Sequence, residues 1–259
     1  MPRFFVEPGE IRDGMVTVTG ENAHHIARSL RMAVGETVTV CDGEGTDYLC
    51  RLDGFFLDRV TAAVLSCEPS ASEPPYPIRV YQALPKGDKL DEVIQKSVEC
   101  GARELIPFES ARCIVRLGDG KKDRERTERR CRIALTAAGQ CGRGAIPTVR
   151  PTVSFAEAIR DAATAELALF CYEGEGTEPL GRVLEAQRSR GVPRSISVVV
   201  GSEGGFAPEE ALAAREAGLI PVGLGRRILR TETAAPFVLA CLSLCWELDL
   251  YKNGNFCMT

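Results

Sequence analysis

The sequence predicts an α/β protein: a parallel sheet covered by helices, with a small β-barrel ahead of it. Three observations carry that expectation. Short strand-like runs fill the first 68 residues, strand-like and helical runs alternate beyond residue 77, and a proline-rich polar stretch separates the two patterns. With 259 residues, 44% of them hydrophobic and 26% charged, the chain is long enough to bury one large core or two modest ones.

The runs GMVTVTG, ETVTVCDG, TDYLCRL and RVTAAVLSC alternate apolar and polar positions and read as strands. ENAHHIARSLRM interrupts them as the single helical segment. The stretch PSASEPPYP, residues 69–77, reads as a linker. The expected domains are therefore residues 1–72 and 73–259. In the second, IRVYQAL, ELIPF, ELALFCY, SISVVVG and PVGLG supply strands. KLDEVIQKSVECGA places Leu90, Val93, Ile94, Ser97 and Val98 on one helical stripe, which predicts the buried face of a helix. KKDRERTERRCR, residues 121–132, mixes charges at helical spacing and reads as a solvated helix face.

Composition narrows the function classes. The longest apolar stretch, residues 234–246, is too short to cross a bilayer, and the opening MPRFFVEPGE lacks the pattern of a secretory leader, so a cytoplasmic location is expected. Eleven cysteines are scattered without a CxxC pair, which favours reduced buried thiols over disulfides. Cys241 and Cys245 share a helix face, yet the two histidines, His24 and His25, lie far away in sequence, and no metal is expected. Lys and Arg against Asp and Glu number 6 against 12 over residues 1–75, 16 against 10 over 76–150 and 10 against 14 over 151–259. The middle third is thus basic in a chain of net charge -4.

Two glycine-marked strand ends carry the chemistry. GSEGGFAPEE sets Gly201, Gly204 and Gly205 around Glu203 after an apolar strand, and Pro208, Glu209 and Glu210 then open a helix. It is neither a dinucleotide fingerprint nor a phosphate loop. A tight turn and a ligand-binding turn both satisfy it, because strand ends of parallel sheets open onto a crevice. In PVGLGRRILRTETAAPFVLACLSL, a second such end passes Gly223, Gly225, Arg226, Arg227 and Arg230 before Thr231 and Glu232 start a long apolar helix. Thr231 or Thr233 capping that helix, and Glu232 favouring its positive end, are the plain alternatives.

QALPKGDKLDEVIQKSVECGARELIP, AAGQCGRGAIP, GSEGGF and LGRRILRTETAA, in that order behind a small barrel, resemble the RsmE family of bacterial 16S rRNA (uracil-N3) methyltransferases. The resemblance implies a PUA-like N-terminal barrel, a SPOUT-type parallel sheet with a C-terminal trefoil knot, a homodimer, and S-adenosylmethionine as cofactor. It places the cofactor between Gly201, Glu203, Gly204 and Gly205 on one wall and Leu224, Gly225, Ile228, Leu229, Arg230 and Thr231 on another, with Phe170 and Glu173 near the third. Backbone recognition of a cofactor requires close approach, which glycine permits.

The same resemblance implies a uridine of 16S rRNA in the small ribosomal subunit as acceptor. N3 of uracil carries a proton, so a base must remove it before methylation. Glu232 or Glu203 is the expected base, with Arg230 and Arg143 donating to the developing anion. RNA contacts are expected from Arg3, Phe4, His24, His25, Arg28 and Arg31 on the barrel, and from Lys86, Lys89, Arg112, Arg116, Gln140 and Arg143 beyond it. A purely structural histidine pair and solubilising arginines remain open readings. Ser202 stands where the family usually carries proline, and Gly139 and Cys141 where it often carries glutamate and serine. The helix over residues 233–250 is apolar round most of its circumference, which supports a subunit contact. A SPOUT enzyme acting on a ribose hydroxyl or another base, and a non-catalytic RNA-binding protein, are the alternative functions.

Overall fold

The computed structural model describes residues 1–116 and 120–248. The chain divides into two compact units, Met1–Glu73 with Ala138–Ile146, and Pro74–Ala137 with the residues from Pro147 onward.

The first unit is a six-stranded mixed sheet. Its strands are β1 (Arg3–Phe5), β2 (Ile11–Arg12), β3 (Met15–Thr19), β4 (Thr37–Cys41), β5 (Thr46–Phe55) and β6 (Arg59–Pro69), in the order β1-β4-β5-β6-β3-β2. Only β1 and β4 pair in parallel. The order begins at β1 and ends at β2 without pairing them, so the small barrel expected from the sequence is a half-barrel. Alternation explains its core: Val16 and Val18 on β3 and Val38 and Val40 on β4 are fully buried, with polar neighbours facing outward. The predicted helix forms as α1 (Gly20–His24) and continues as a π-helical turn, His25–Ser29, that buries Ala23 and Ile26.

Residues 69–73 are not a loose tether. Ser70 is buried and donates to Asp47 at 3.0 Å, and the Glu73 carboxylate accepts from the backbone amides of Gly144 and Ala145. Hydrogen bonds to these partly buried carboxylates fix that segment more firmly than its proline and serine content suggests.

The second unit is an eight-stranded sheet in which every pairing is parallel. Its strands are β7 (Ile78–Ala83), β8 (Glu104–Glu109), β9 (Thr148–Val149), β10 (Val153–Ser154), β11 (Leu167–Cys171), β12 (Glu178–Pro179), β13 (Ile196–Val200) and β14 (Ile220–Gly223). The order is β10-β8-β7-β13-β11-β14-β12, with β9 also on β8. The two-residue strands escaped the sequence reading because so short a run has no measurable period. Helices α2 (Lys89–Glu99), α3 (Gly120–Gln140), α4 (Phe155–Ala162), α5 (Leu180–Arg188), α6 (Pro208–Glu216) and α7 (Thr231–Trp246) connect and cover the strands. The buried face of α2 is Leu90, Val93, Ile94, Ser97 and Val98, the predicted stripe. In α3 the mixed charges are mostly exposed, but Arg130 is buried, and burial lowers its pKa. On α7, Val238, Leu239, Leu242 and Trp246 are buried while Leu244 is 63% exposed. The last two positions of the helix predicted over 233–250 lie outside the described residues.

None of the ten cysteines among the described residues forms a disulfide, and Cys67 on β6 is exposed where buried thiols were expected. Among the described residues no group of three or more His, Cys, Asp or Glu is placed to hold a metal, and no helix is long and apolar enough to cross a membrane.

Candidate active site

In the order of the second sheet β13 lies between β7 and β11, although the chain reaches it after both. A cavity of about 720 Å³ opens at the carboxyl ends of β11, β13 and β14, where such sheets bind ligands. Its walls are residues 171–174 after β11, residues 200–206 after β13, and Val222, Leu224 and residues 228–231 after β14, with Lys89, Arg112 and Ala234 completing it.

The turn after β13 is built from within. Gly205 adopts φ +63° and its amide donates to the Ser202 carbonyl at 2.9 Å. A Cβ on Gly201 would stand 3.2 Å from Gly205 Cα and from the Phe206 ring, and one on Gly204 would stand 3.0 Å from Arg112 Cβ. The glycines are therefore required first by the turn's own crowding and handedness. The Phe206 ring, 3% exposed, packs 4.3 Å from Phe170 and stacks at 6.3 Å on Phe108, anchoring the turn to the sheet. Glu210, the third residue of α6, accepts from the amides of Ala207 and Ala111 and so joins this turn to the segment after β8. Arg112 completes the join by donating to the Gly204 carbonyl at 3.1 Å.

A polar junction ties the two glycine-marked ends together. Thr231 donates to the Gly201 carbonyl at 2.7 Å, and the buried Gln82 on β7 donates to Thr231 Oγ1 at 2.9 Å and to the Gly201 carbonyl at 3.2 Å. Thr231 does not cap α7 with its side chain; its hydroxyl holds the neighbouring loop. Gln82 was not singled out in the sequence, because nothing local marks a strand glutamine as a partner of carbonyls more than a hundred residues away.

Lys89 is the electrostatic centre of the site. Its Nζ lies 2.8 Å from Glu203 Oε1 and 3.7 Å from Glu232 Oε2. Glu203 also accepts from the Lys86 amide at 3.2 Å. Burial disfavours the Glu203 charge, but the Lys89 ammonium and backbone donors outweigh it and hold its carboxyl below the usual range. The Glu203 hydrogen bond correspondingly raises the Lys89 pKa. Glu232 Oε2 is buried with no hydrogen-bond partner, and Arg230 stands 3.9 Å from Glu232 Oε1. Ser202 Oγ, on the cavity wall, is likewise buried without a partner.

Of the residues expected at the cofactor, Glu173, Gly201, Glu203, Gly204, Gly205, Leu224, Ile228, Leu229, Arg230 and Thr231 line the cavity. Phe170 does not: it is a core residue with no exposed surface, and the neighbouring Cys171 and Tyr172 line the wall in its place. Gly225 lies outside the lining, at φ +107° with open space around it. Ile228 lines the rim with 84% of its surface exposed.

Arg143 belongs to the first unit, where its buried guanidinium is held by Glu73 at 2.6 Å. That pairing engages the guanidinium the sequence assigned to an anion, and breaking it would leave the buried Arg143 charge uncompensated. Arg3 is likewise committed, forming two 2.8 Å bonds to Asp47, and Phe4 is core. His24, His25, Arg28 and Arg31 are exposed, the His25 ring edge-on to Phe4 at 6.0 Å. Lys86 and Gln140 are exposed too, and Arg116 is exposed but paired with Glu109 at 2.7 Å.

Two family models match this chain. A family model described as an RNA methyltransferase domain matches residues 72–243, and one described as an RNA methyltransferase PUA domain matches residues 18–54. Ribosomal RNA small subunit methyltransferase E of Bacillus subtilis is 34% identical over 96% of this chain and 98% of its own length. The protein of that name from Mycobacterium bovis is 30% identical over 93% of this chain and 90% of its own. Among solved structures, ribosomal RNA small subunit methyltransferase E from Neisseria gonorrhoeae bound to S-adenosyl methionine aligns with a TM-score of 0.77 at 33% identity, covering 95% of this chain and 98% of that one. A putative methyltransferase from Legionella pneumophila in complex with the same cofactor aligns with a TM-score of 0.74 at 29% identity over 93% of this chain and 96% of that one.

Proposed function

This chain belongs to the ribosomal RNA small subunit methyltransferase E family, and from that membership we infer that it transfers a methyl group from S-adenosylmethionine to N3 of a uridine in the decoding region of 16S rRNA. The observation that carries the reading is the cavity at the carboxyl ends of three parallel strands, bounded by the turn 200–206 and by residues 228–231.

The residues present fit the cofactor. About 720 Å³ is within the range of small-molecule sites, Leu224 and Leu229 offer partly exposed apolar surface, and Ser202 Oγ is a polar group on the wall without a hydrogen-bond partner. Residues 201–205, residues 171–174 and the Leu224, Leu229 and Thr231 wall would hold it. When bound, it supplies an electrophilic methyl group on a positively charged sulfur.

The protein's own part is to free and orient the acceptor nitrogen. Glu232 takes the N3 proton, directly or through a water molecule, because its Oε2 accepts no hydrogen bond and lies 3.7 Å from Lys89, while Glu203 is bonded to Lys89 at 2.8 Å and to the Lys86 amide. An oxygen that accepts no hydrogen bond has its lone pairs available for the incoming proton. Lys89 keeps the two carboxylates apart in role and fixed in place. Arg230, at the rim with its side chain 83% exposed, donates to a uracil carbonyl oxygen as negative charge develops.

Several finer features belong to the same reading. Residues 1–72 act as an RNA-binding PUA-like domain and residues 73–259 as a SPOUT domain with a C-terminal trefoil knot. The protein works in the cytoplasm on the small ribosomal subunit, as a homodimer that covers the exposed Leu244 side of α7. No metal takes part. His24, His25, Arg28 and Arg31, exposed on the first unit, contact the RNA.

The deciding experiment incubates the protein with radiolabelled S-adenosylmethionine and small subunits that lack the modification, then digests the RNA and identifies the labelled nucleoside. N3-methyluridine is expected. Label on a ribose hydroxyl or another base would replace this reading by a different methyl transfer, and absence of label by a non-catalytic role.

A further inference from the structure

The loop between β14 and α7 places Arg226, Arg227 and Arg230 within five positions, with no acidic residue from Gly223 to Thr231. All three are exposed. The side chains of Arg226 and Arg227 have neither an ion pair nor a hydrogen bond among the described residues. The other two cations at the cavity differ: Arg112 is bound to the Gly204 carbonyl, and Lys89 to Glu203. Between the arginines sits Ile228, an aliphatic side chain 84% in water at the cavity rim.

Unpaired guanidinium groups on either side of an exposed apolar side chain match a partner that alternates anions with flat apolar faces. A single-stranded ribonucleotide segment has that alternation, with phosphates between bases that stack on side chains once unpaired. An acidic protein surface supplies the charge without the stacking face.

We propose that residues 225–230 are the docking strip for the acceptor strand: Arg226 and Arg227 neutralise phosphates flanking the target nucleotide, and Ile228 packs on the face of the target base at the rim of the cavity. The strip rests on the reading of this chain as an RNA methyltransferase and names the part of it that grips the strand. It also divides the loop: Leu229 and Thr231 line the cavity with little exposed surface, Ile228 and Arg230 line its rim in solvent, and Arg226 and Arg227 lie outside the lining.

The test uses the full chain and small subunits lacking the modification. Binding is measured across a salt series for the wild type, the double variant Arg226→Gln/Arg227→Gln, the charge-preserving Arg226→Lys/Arg227→Lys, and Ile228→Ala; S-adenosylmethionine affinity is measured by calorimetry on each. Two lost phosphate contacts should reduce the slope of log affinity against log salt by about 1.4, about 0.7 per phosphate on a single strand, while cofactor affinity stays at the wild-type value. The lysine pair should restore the slope. Ile228→Ala should weaken RNA binding at every salt concentration without changing the slope. A wild-type slope in the glutamine pair overturns the proposal, as does a glutamine pair that weakens cofactor binding tenfold, which would assign the loop to the cofactor. Failure of the wild type to methylate any subunit would instead overturn the parent reading, so the two failures are distinguishable.

Discussion

The turn after β13 and the loop after β14 carry the same mark in the sequence, glycines at the end of a parallel strand, and serve opposite ends. In residues 201–206 nearly everything is engaged: two glycines are crowded by neighbouring atoms, Gly205 needs its left-handed backbone, Phe206 is sunk in the sheet, and Glu203 is held by Lys89. In residues 225–230 a Cβ on Gly225 would meet nothing, and Ile228, Arg226 and Arg227 reach into solvent. A glycine-rich strand end therefore signals a constrained backbone, and whether the constraint shapes a wall or frees a binding edge depends on what packs against it.

The contrast is most easily broken with side chains of similar character. Phe206→Ala should lower stability by about 3–5 kcal/mol, as for other buried aromatics, whereas Ile228→Ala should stay within about 0.5 kcal/mol. Chemical denaturation of the two variants side by side checks this; equal losses would erase the distinction between the loops. Thr231→Val keeps the shape but removes the hydroxyl between Gln82 and the Gly201 carbonyl, so about 1–3 kcal/mol of stability should go, with weaker cofactor binding by calorimetry. Gly205→Ala forces a side chain into φ +63° and should cost about 1–2 kcal/mol in the same denaturation assay.

The smallest expected effect concerns the Lys89 clip. Because the Glu203 carboxyl is held below its ordinary pKa in the folded protein, its contribution is present in full above about pH 4.3 and disappears as pH falls through the lowered value. The pair is partly exposed, so the contribution should stay under about 1 kcal/mol. The acid limb of a melting-temperature profile should be shallower in Lys89→Met than in the wild type, and parallel limbs would show that Lys89 does not stabilise the Glu203 charge.

Long elements were legible in the sequence wherever a period repeats. The α2 stripe at Leu90, Val93, Ile94, Ser97 and Val98, and the alternation in β3 and β4, follow from the geometry of one helix or strand. The cavity was legible as two glycine-bearing ends, and most of its expected lining is there. What the sequence reading missed is of another kind. Phe170 was one residue away from the wall, because it is still paired with strands on both sides and its ring packs on Phe206 in the core. Arg143 carried the right charge for an anion donor and is bound instead to Glu73, 70 positions earlier.

The sequence by itself determined the local alphabet of this protein: which segments are strands and helices, where the backbone must turn through glycine, and that two such turns end parallel strands. It could do so because periodicity, handedness and capping act over a few residues. Only the tertiary structure decided which charges are spent and which are free, leaving Arg3 and Arg143 paired, Glu203 clamped, Glu232 Oε2 without a hydrogen bond and Arg226 and Arg227 in solvent. The reason is physical: the availability of a charged group depends on the partner and the burial it meets in space, and those partners lie tens to more than a hundred residues away along the chain.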